Sequence, residues 1–278
     1  MIELRNSAHI VTHGQAVYWV IDDEPLLLWA SSKGVHPRES QIHALLEGIV
    51  PHRYLRNFSA LNMAEQLSLC RSRVLVCGCG GLGGVVANLL ARGGIGFIRL
   101  VDGDVFVPSN LNRQWFSDVA HLGWPKASAA RDGMLRINPL VEIEAVDEPL
   151  DASNARSLLQ GMDLCVDALD NLETRFLLDT WCRREGIALV HGAVSGWLGQ
   201  ATTFLPNRAL GMESIFGKRR TRDALEESLG VPGPTVSLIG SLQAMEVMRL
   251  LAGKSPCYEG RLLYFDGESG QMSLIPLA

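Results

Sequence analysis

Residues 78–83, Gly-Cys-Gly-Gly-Leu-Gly, restrict the fold of this chain more than any other stretch. An apolar run, SRVLVC, leads into them. GGVVANLLARGG, with helical spacing and a glycine stop, leads out. Glycines between a strand and a helix permit a tight turn and let backbone N–H groups approach a phosphate at the helix N-terminus. Asp102 ends the next apolar run, about 20 residues on, where a carboxylate can accept hydrogen bonds from ribose hydroxyls. Strand, loop, helix, strand and acid in that order describe a nucleotide site, with Gly78, Gly80, Gly81, Leu82 and Gly83 as its cradle. Glycines also serve close helix–sheet packing; the full context favours the nucleotide.

The alternation continues. IGFIRLV, VEIEAV, DLCVDA and IALVHGAV read as strands, with KASAARDGMLRINP, ASNARSLLQGM and TRFLLDTWCRREG as helices among them. This predicts an α/β fold, a Rossmann-like doubly wound and mainly parallel sheet covered on both faces. Ligands of such sheets bind at the carboxyl ends of the strands, and Asp102, Asp104, Asp167 and Asp170 fall at or near such ends. After Gly196 the order changes. WLGQATTFLP reads as a strand, GPTVSLIGSLQAMEVMRLLAG as a long helix and RLLYFDGESGQMSLIPL as a closing hairpin, so the C-terminal strands are expected to be antiparallel. Residues 207–232 between them, with the basic run Lys218, Arg219, Arg220 and Arg222 followed by Glu226 and Glu227, are expected to form a mobile crossover loop.

Residues 1–50 look different. HIVTHGQAVYWVIDD and EPLLLWAS read as two short strands around an Asp-Asp-Glu-Pro turn, and RESQIHALLEG as a helix closed by Gly48. The segment is too short to bury a core alone. It is expected to be a small N-terminal extension packed on a main domain spanning residues 51–278.

Charge narrows the partners. Twenty-five basic and 30 acidic residues give −5, which argues against a general nucleic-acid binder. Two uncharged stretches, Val74–Ala91 and Ser228–Met245, have the length of membrane spans. The first holds five glycines and Asn88 and the second holds Pro232 and Pro234, so both suit buried elements of a soluble fold better, and no membrane is expected. The N-terminus lacks the apolar run of a signal sequence, and the six cysteines include no Cys-x-x-Cys pair. A reducing, cytoplasmic setting is the expectation.

The loop by itself fits NAD as well as ATP. The discriminators lie further on: Ser109-Asn110-Leu111-Asn112-Arg113-Gln114 after the second strand, Lys126 opening a helix, Asp170-Asn171 ending the fourth strand and Arg175 one helical turn beyond. A nicotinamide site needs few cations. A triphosphate needs several, because nucleotidyl transfer depends on positioning and charge neutralisation. A carboxylate at a strand end can supply a ligand to magnesium, which keeps several waters.

GCGGLG, VDGDVFVPSNLNRQ, the lysine of GWPKASAARDGMLRINP and DALDNLETR together resemble the ThiF/MoeB/HesA family, relatives of the ubiquitin-activating enzymes, over roughly residues 52–278. The resemblance implies an ATP- and Mg2+-dependent adenylyltransferase. Its substrate would be the C-terminal glycine carboxylate of a small ubiquitin-like sulfur-carrier protein ending in Gly-Gly. The acyl adenylate would pass to a sulfur donor such as a sulfurtransferase, in thiamin or molybdopterin/tungstopterin synthesis. Carried onto this sequence, the glycine loop would hold phosphates and Asp102 ribose, with Asp104 beside it. Asn110, Arg113 and Lys126 would meet the triphosphate, with Gln114, Asn171 and Arg175 also at the nucleotide site, and Asp170 would hold Mg2+. Arg56 matches an arginine that in the family reaches the partner subunit's nucleotide, which implies a homodimer. Arg56, Arg113, Lys126 and Asp170 are the expected catalytic set. A carboxylate is already ionised at neutral pH, so no general base is required.

The chain departs from the family in its cysteines. Many relatives carry two Cys-x-x-Cys pairs for structural zinc; the matching stretches here read NRALGMESIFG and EESLGVPGPTV, so no zinc site is expected. Residues 207–234 also lack a cysteine for a covalent link to the carrier. Cys257 is the most exposed thiol expected, and the chain is expected to stop at the adenylate. Two alternatives are a dehydratase of the threonylcarbamoyl-adenosine tRNA type and an inactive partner-binding homologue.

Overall fold

The computed structural model describes residues 3–221 and 229–278. Its frame is an eight-stranded sheet. Five strands are parallel: β4 (Arg73–Cys77), β5 (Phe97–Val101), β6 (Glu142–Val146), β7 (Leu164–Asp167) and β8 (Ala188–Ser195). Three more follow antiparallel: β9 (Leu198–Phe204), β10 (Arg261–Asp266) and β11 (Gln271–Pro276). The order across the sheet is β11-β10-β9-β8-β7-β4-β5-β6. Chain connection runs outward in both directions from β4 and β7, so a crevice opens above their carboxyl ends, where such sheets bind ligands. The fold class expected from the alternating pattern is the one found.

The strands are runs of Val, Leu, Ile and Cys because helices cover both faces. On one face, α5 (Gly81–Gly93), α6 (Lys126–Ile137) and α10 (Gly233–Leu251) bury Val86, Leu90, Met134 and Val247 against Val74, Val76 and Ile98. On the other, α7 (Ala155–Leu159) and α8 (Leu172–Glu185) bury Leu159, Leu178 and Cys182 against Leu75, Cys77 and Leu189. Helix α7 is shorter than ASNARSLLQGM suggested, since Asp151 and Asn154 fold the start of that stretch into a hydrogen-bonded turn.

The N-terminal region corrects one expectation. HIVTHGQAVYWVI forms a hairpin by itself, β1 (His9–His13) and β2 (Ala16–Ile21), turning at Gly14 with φ +63°. EPLLLWAS is not a strand but part of α2 (Asp23–Lys33). Asp23 and Glu24 complement the helix dipole in its first turn, and Pro25 falls where the N–H needs no intrahelical partner. Leu26 and Ala30, one turn apart, are the buried face. After α3 (Pro37–Leu46), β3 (Ile49–Pro51) adds parallel to β2. This module packs on the main domain through a buried chain of hydrogen bonds: Asn138 Nδ2 donates to the Tyr54 hydroxyl, which donates to Gln41 Oε1, whose Nε2 donates to the Leu140 carbonyl.

The crossover segment is more ordered than a loop where it is described. It carries α9 (Glu213–Phe216), Met212 is buried in the main core, and Asp179 Oδ2 accepts the Met212 N–H. Arg222, Glu226 and Glu227, on which part of the mobile-loop expectation rests, lie outside the described residues.

Candidate active site

A cleft of about 330 Å³ opens at the carboxyl ends of β4, β5 and β7. Its near wall is the glycine loop. Gly78 has φ +90°, and a Cβ there would lie 2.5 Å from the Ala168 carbonyl oxygen. A Cβ on Gly83 would lie 1.7 Å from the Gly78 carbonyl oxygen. Only glycine permits this turn. Helix α5 then starts at Gly81 without a side-chain cap, leaving its first N–H groups to an anion.

Asp102 is fastened to that loop: its Oδ2 accepts the Cys79 N–H at 2.7 Å and its Oδ1 the Asp104 N–H at 2.9 Å. Burial raises its pKa, opposed by those two N–H groups and by nearby Lys126. Each oxygen keeps a lone pair for a ligand hydroxyl. Lys126 is the first residue of α6, and its N–H donates to the Asp104 carbonyl. Its side chain is 10% exposed and its ammonium donates to Asp104 Oδ2 at 2.8 Å, whereas the Asp104 side chain is 70% exposed. Asp104 therefore holds the lysine from the solvent side while the lysine stem is buried. Arg113 is kept beside the loop by hydrogen bonds from Nη1 to the Ser109 carbonyl and to Asn112 Oδ1, both 2.9 Å. Gln114 is buried against Gly80, and its Oε1 has no partner among the described residues.

The opposite rim is the start of α8. Asn171 Oδ1 accepts the Thr174 N–H and caps the helix. Asp170 is exposed there, and its side chain's one contact among the described residues is at 3.5 Å from Asn171 Nδ2. Arg175 is fully buried; its Nε and Nη2 donate to the Leu169 carbonyl, and Nε lies 3.8 Å from Asp167 Oδ2.

The cleft thus brings together Gly78, Gly80, Gly81, Leu82, Asp102, Asp104, Arg113, Gln114, Lys126, Asp170, Asn171 and Arg175. Three expected residues are not on its wall. Gly83 packs beneath the loop. Asn110 is buried, with Oδ1 accepting the Val107 N–H, and so shapes the segment that carries Arg113. Arg56 is exposed on the turn His52–Asn57 and makes no hydrogen bond or ion pair among the described residues.

Beneath the rim lies a buried set that the motifs did not reveal. His191 of β8 and Asp167 of β7, both wholly buried, meet at 2.6 Å (Nδ1 to Oδ2). Burial pushes Asp167 up, but Arg175 and His191 outweigh it and hold its pKa below the usual value. Burial pushes the His191 pKa down despite Asp167. Gln243 Nε2 of α10 donates to the Asp167 carbonyl at 2.8 Å. Register made this pairing, since Asp167 lies opposite His191 across β7 and β8. The two are 24 residues apart in sequence, in no recognisable motif.

Five of the six cysteines are buried, and Cys257 is half-buried. Burial raises Cys70 to about 12 and Cys79 and Cys165 well above the ordinary thiol value, so none of these three is a thiolate at neutral pH.

Residues 52–278 match the ThiF family. Over 75% of its length the chain is 38% identical to the SAMP-activating enzyme E1 of Haloferax volcanii, covering 77% of that protein. It is 36% identical over 74% of its length to the molybdopterin-synthase adenylyltransferase of Escherichia coli, covering 83% of it. It also matches the adenylyltransferase and sulfurtransferase MOCS3 of Xenopus laevis at 35% over 78% of its length, but spans only about half of that relative, 49%. Among solved structures, E. coli MccB with ATP superposes with a TM-score of 0.70 at 18% identity, over 99% of this chain and 96% of that one. At that identity the likeness is one of fold.

Proposed function

The chain belongs to the ThiF family and is an adenylyltransferase, and from that premise we propose that its cleft adenylates the C-terminal glycine carboxylate of a small ubiquitin-like sulfur carrier. The observation that carries this reading is the meeting of Lys126, Arg113 and Asp170 with the glycine loop at one sheet edge. The fit to a nucleoside triphosphate rests on the uncapped start of α5, on the free lone pairs of Asp102 and on Gln114 Oε1, a buried acceptor without a partner. Asp102 accepts the ribose hydroxyls. Leu150 and Val236 supply apolar wall for the base.

Lys126 and Arg113 lie against the phosphates and neutralise the charge that builds as the bond to pyrophosphate lengthens. Asp170 would hold Mg2+, which would supply positive charge to offset that of the phosphates as the anionic carboxylate approaches. A carboxylate oxygen attacks the α-phosphorus; the P–O bond to pyrophosphate breaks; the carboxyl–AMP anhydride forms. No proton moves at the nucleophile. Arg56, exposed and unpaired among the described residues, is available to reach the cleft of a second copy, so the working unit is a homodimer. The adenylate is then handed to a sulfur donor without a thioester on the enzyme, in the reducing cytoplasm. ATP–pyrophosphate exchange tests the reading: label enters ATP only when a Gly-Gly-ending carrier is present.

A second reading keeps the chemistry and changes the substrate. MccB has been crystallised with MccA. The fold likeness to it takes in the N-terminal module, which the match to residues 52–278 leaves out. Exchange supported by a peptide but by no Gly-Gly carrier would select a peptide acceptor.

A further inference from the structure

We propose that His9, Asp22 and His52 form a binding site for a divalent transition-metal ion of the zinc type, on the N-terminal module and separate from the ATP cleft. One ligand atom from each lies within 4.8 Å of the other two, and no other such group of His, Cys, Asp and Glu occurs among the described residues.

The sheet builds this convergence. His9 is opposite Val20 in the antiparallel pair β1/β2, and Val20 is opposite Val50 in the parallel pair β2/β3. Asp22 and His52 each lie two residues beyond, so the alternation of strand side chains puts all three on one face, at one end of the sheet. Asp22 stands at the N-cap of α2, yet its side chain makes no capping bond. Its Oδ1 turns instead to His52 Nδ1, 2.7 Å away, and the His9 ring meets the His52 ring edge-on at 6.0 Å. The nearest basic neighbour in sequence, Arg53, is already spent on Asp23 and the Ile137 carbonyl.

Two imidazoles and one carboxylate suit zinc, nickel or cobalt(II), with an open position for water. Tetrahedral ligands at 2.0–2.1 Å from zinc lie about 3.3 Å apart, so the ion needs a small separation of Asp22 from His52. His52 would then carry a proton on Nε2 and offer the Nδ1 lone pair, the tautomer a metal ligand needs. The ion would tie β1, the start of α2 and the turn bearing Arg56 into one unit. This differs in kind from the cysteine zinc site that the sequence lacks, since its ligands are imidazole nitrogen and carboxylate oxygen.

The test uses the full chain, stripped with chelator, with Asp170→Asn in every sample to silence the cleft's own metal ligand. Equilibrium dialysis against zinc should retain one equivalent. Cobalt(II) should give the intense visible absorption of a low-coordinate site. His9→Gln and His52→Gln should each weaken zinc at least tenfold, with unchanged circular dichroism, because all three side chains are exposed. Asp22→Asn, which keeps the shape, should weaken it as well. Zinc retained undiminished by a His9→Gln/His52→Gln double variant, or no zinc retained by the parent, overturns the proposal. Neither result bears on adenylation.

Discussion

At the scale of single residues the proposed chemistry leans most on Lys126. Replacing it with Ala should lower the adenylation rate by about 10²–10³-fold, the usual cost of one well-placed charge donor. Its partner Asp104 is mostly exposed, so folding stability should change by about 1 kcal/mol or less. Steady-state exchange with a parallel melting curve separates the two effects; equal loss of both would assign Lys126 to the scaffold. Asp167 is the reverse case. Asp167→Asn breaks a buried ionic set and should cost about 3–5 kcal/mol. Its pH signature has a definite sign. His191 and Asp167 both have folded pKa values below their ordinary ones, so their stabilisation is complete at neutral pH and fades with acid. The loss begins as pH falls through the unfolded imidazole value of about 6.5. The melting temperature of His191→Gln should therefore fall less than that of the parent between neutral pH and mild acid; parallel curves would contradict this. Lys126 and Asp170 were legible because each sits at an element boundary inside a local motif. His191 was not, because only the β7/β8 register gives it a partner.

Elements carry the geometry. The β4–loop–α5 unit was readable because two positions admit no side chain, Gly78 for its φ and Gly83 for its contact with the Gly78 carbonyl. Gly83→Ala must open the loop, and ATP binding by calorimetry should be lost while the far-UV spectrum keeps most of its helix and strand signal; wild-type affinity would show that the loop is not the cradle. The hairpin β1/β2 and the start of α2 were misplaced from the sequence for a related reason. Gly14 and the Asp22-Asp23-Glu24-Pro25 stretch are both turn signals, and the stronger-looking one is the helix start. Acids at a helix N-terminus and acids in a turn have the same composition; only the burial of Leu26 and Ala30 on one face separates them. The antiparallel closing strands were legible from the change of pattern after Gly196, whereas α9 was hidden in a polar segment that Asp179 and the core hold from outside.

The whole molecule raises the question of how many chains make one site. Arg56 lies on the turn that joins the N-terminal module to the main domain, off the wall of its own cleft. If it serves a second copy, Arg56→Ala and Lys126→Ala are each inactive alone, but mixing them equally should restore about a quarter of the wild-type sites, because half of the randomly assorted dimers carry one intact site. No recovery on mixing would place Arg56 outside catalysis or exclude exchange between copies. The central claim, that this cleft makes an AMP ester of another chain's terminal carboxylate, is tested most directly by mass spectrometry of the carrier after incubation with ATP and Mg2+. The account predicts AMP attached at the carrier's terminal glycine, formed by the wild type and about 10²–10³-fold more slowly with Lys126→Ala. An unmodified carrier, with ATP cleaved only to ADP and phosphate, would contradict it.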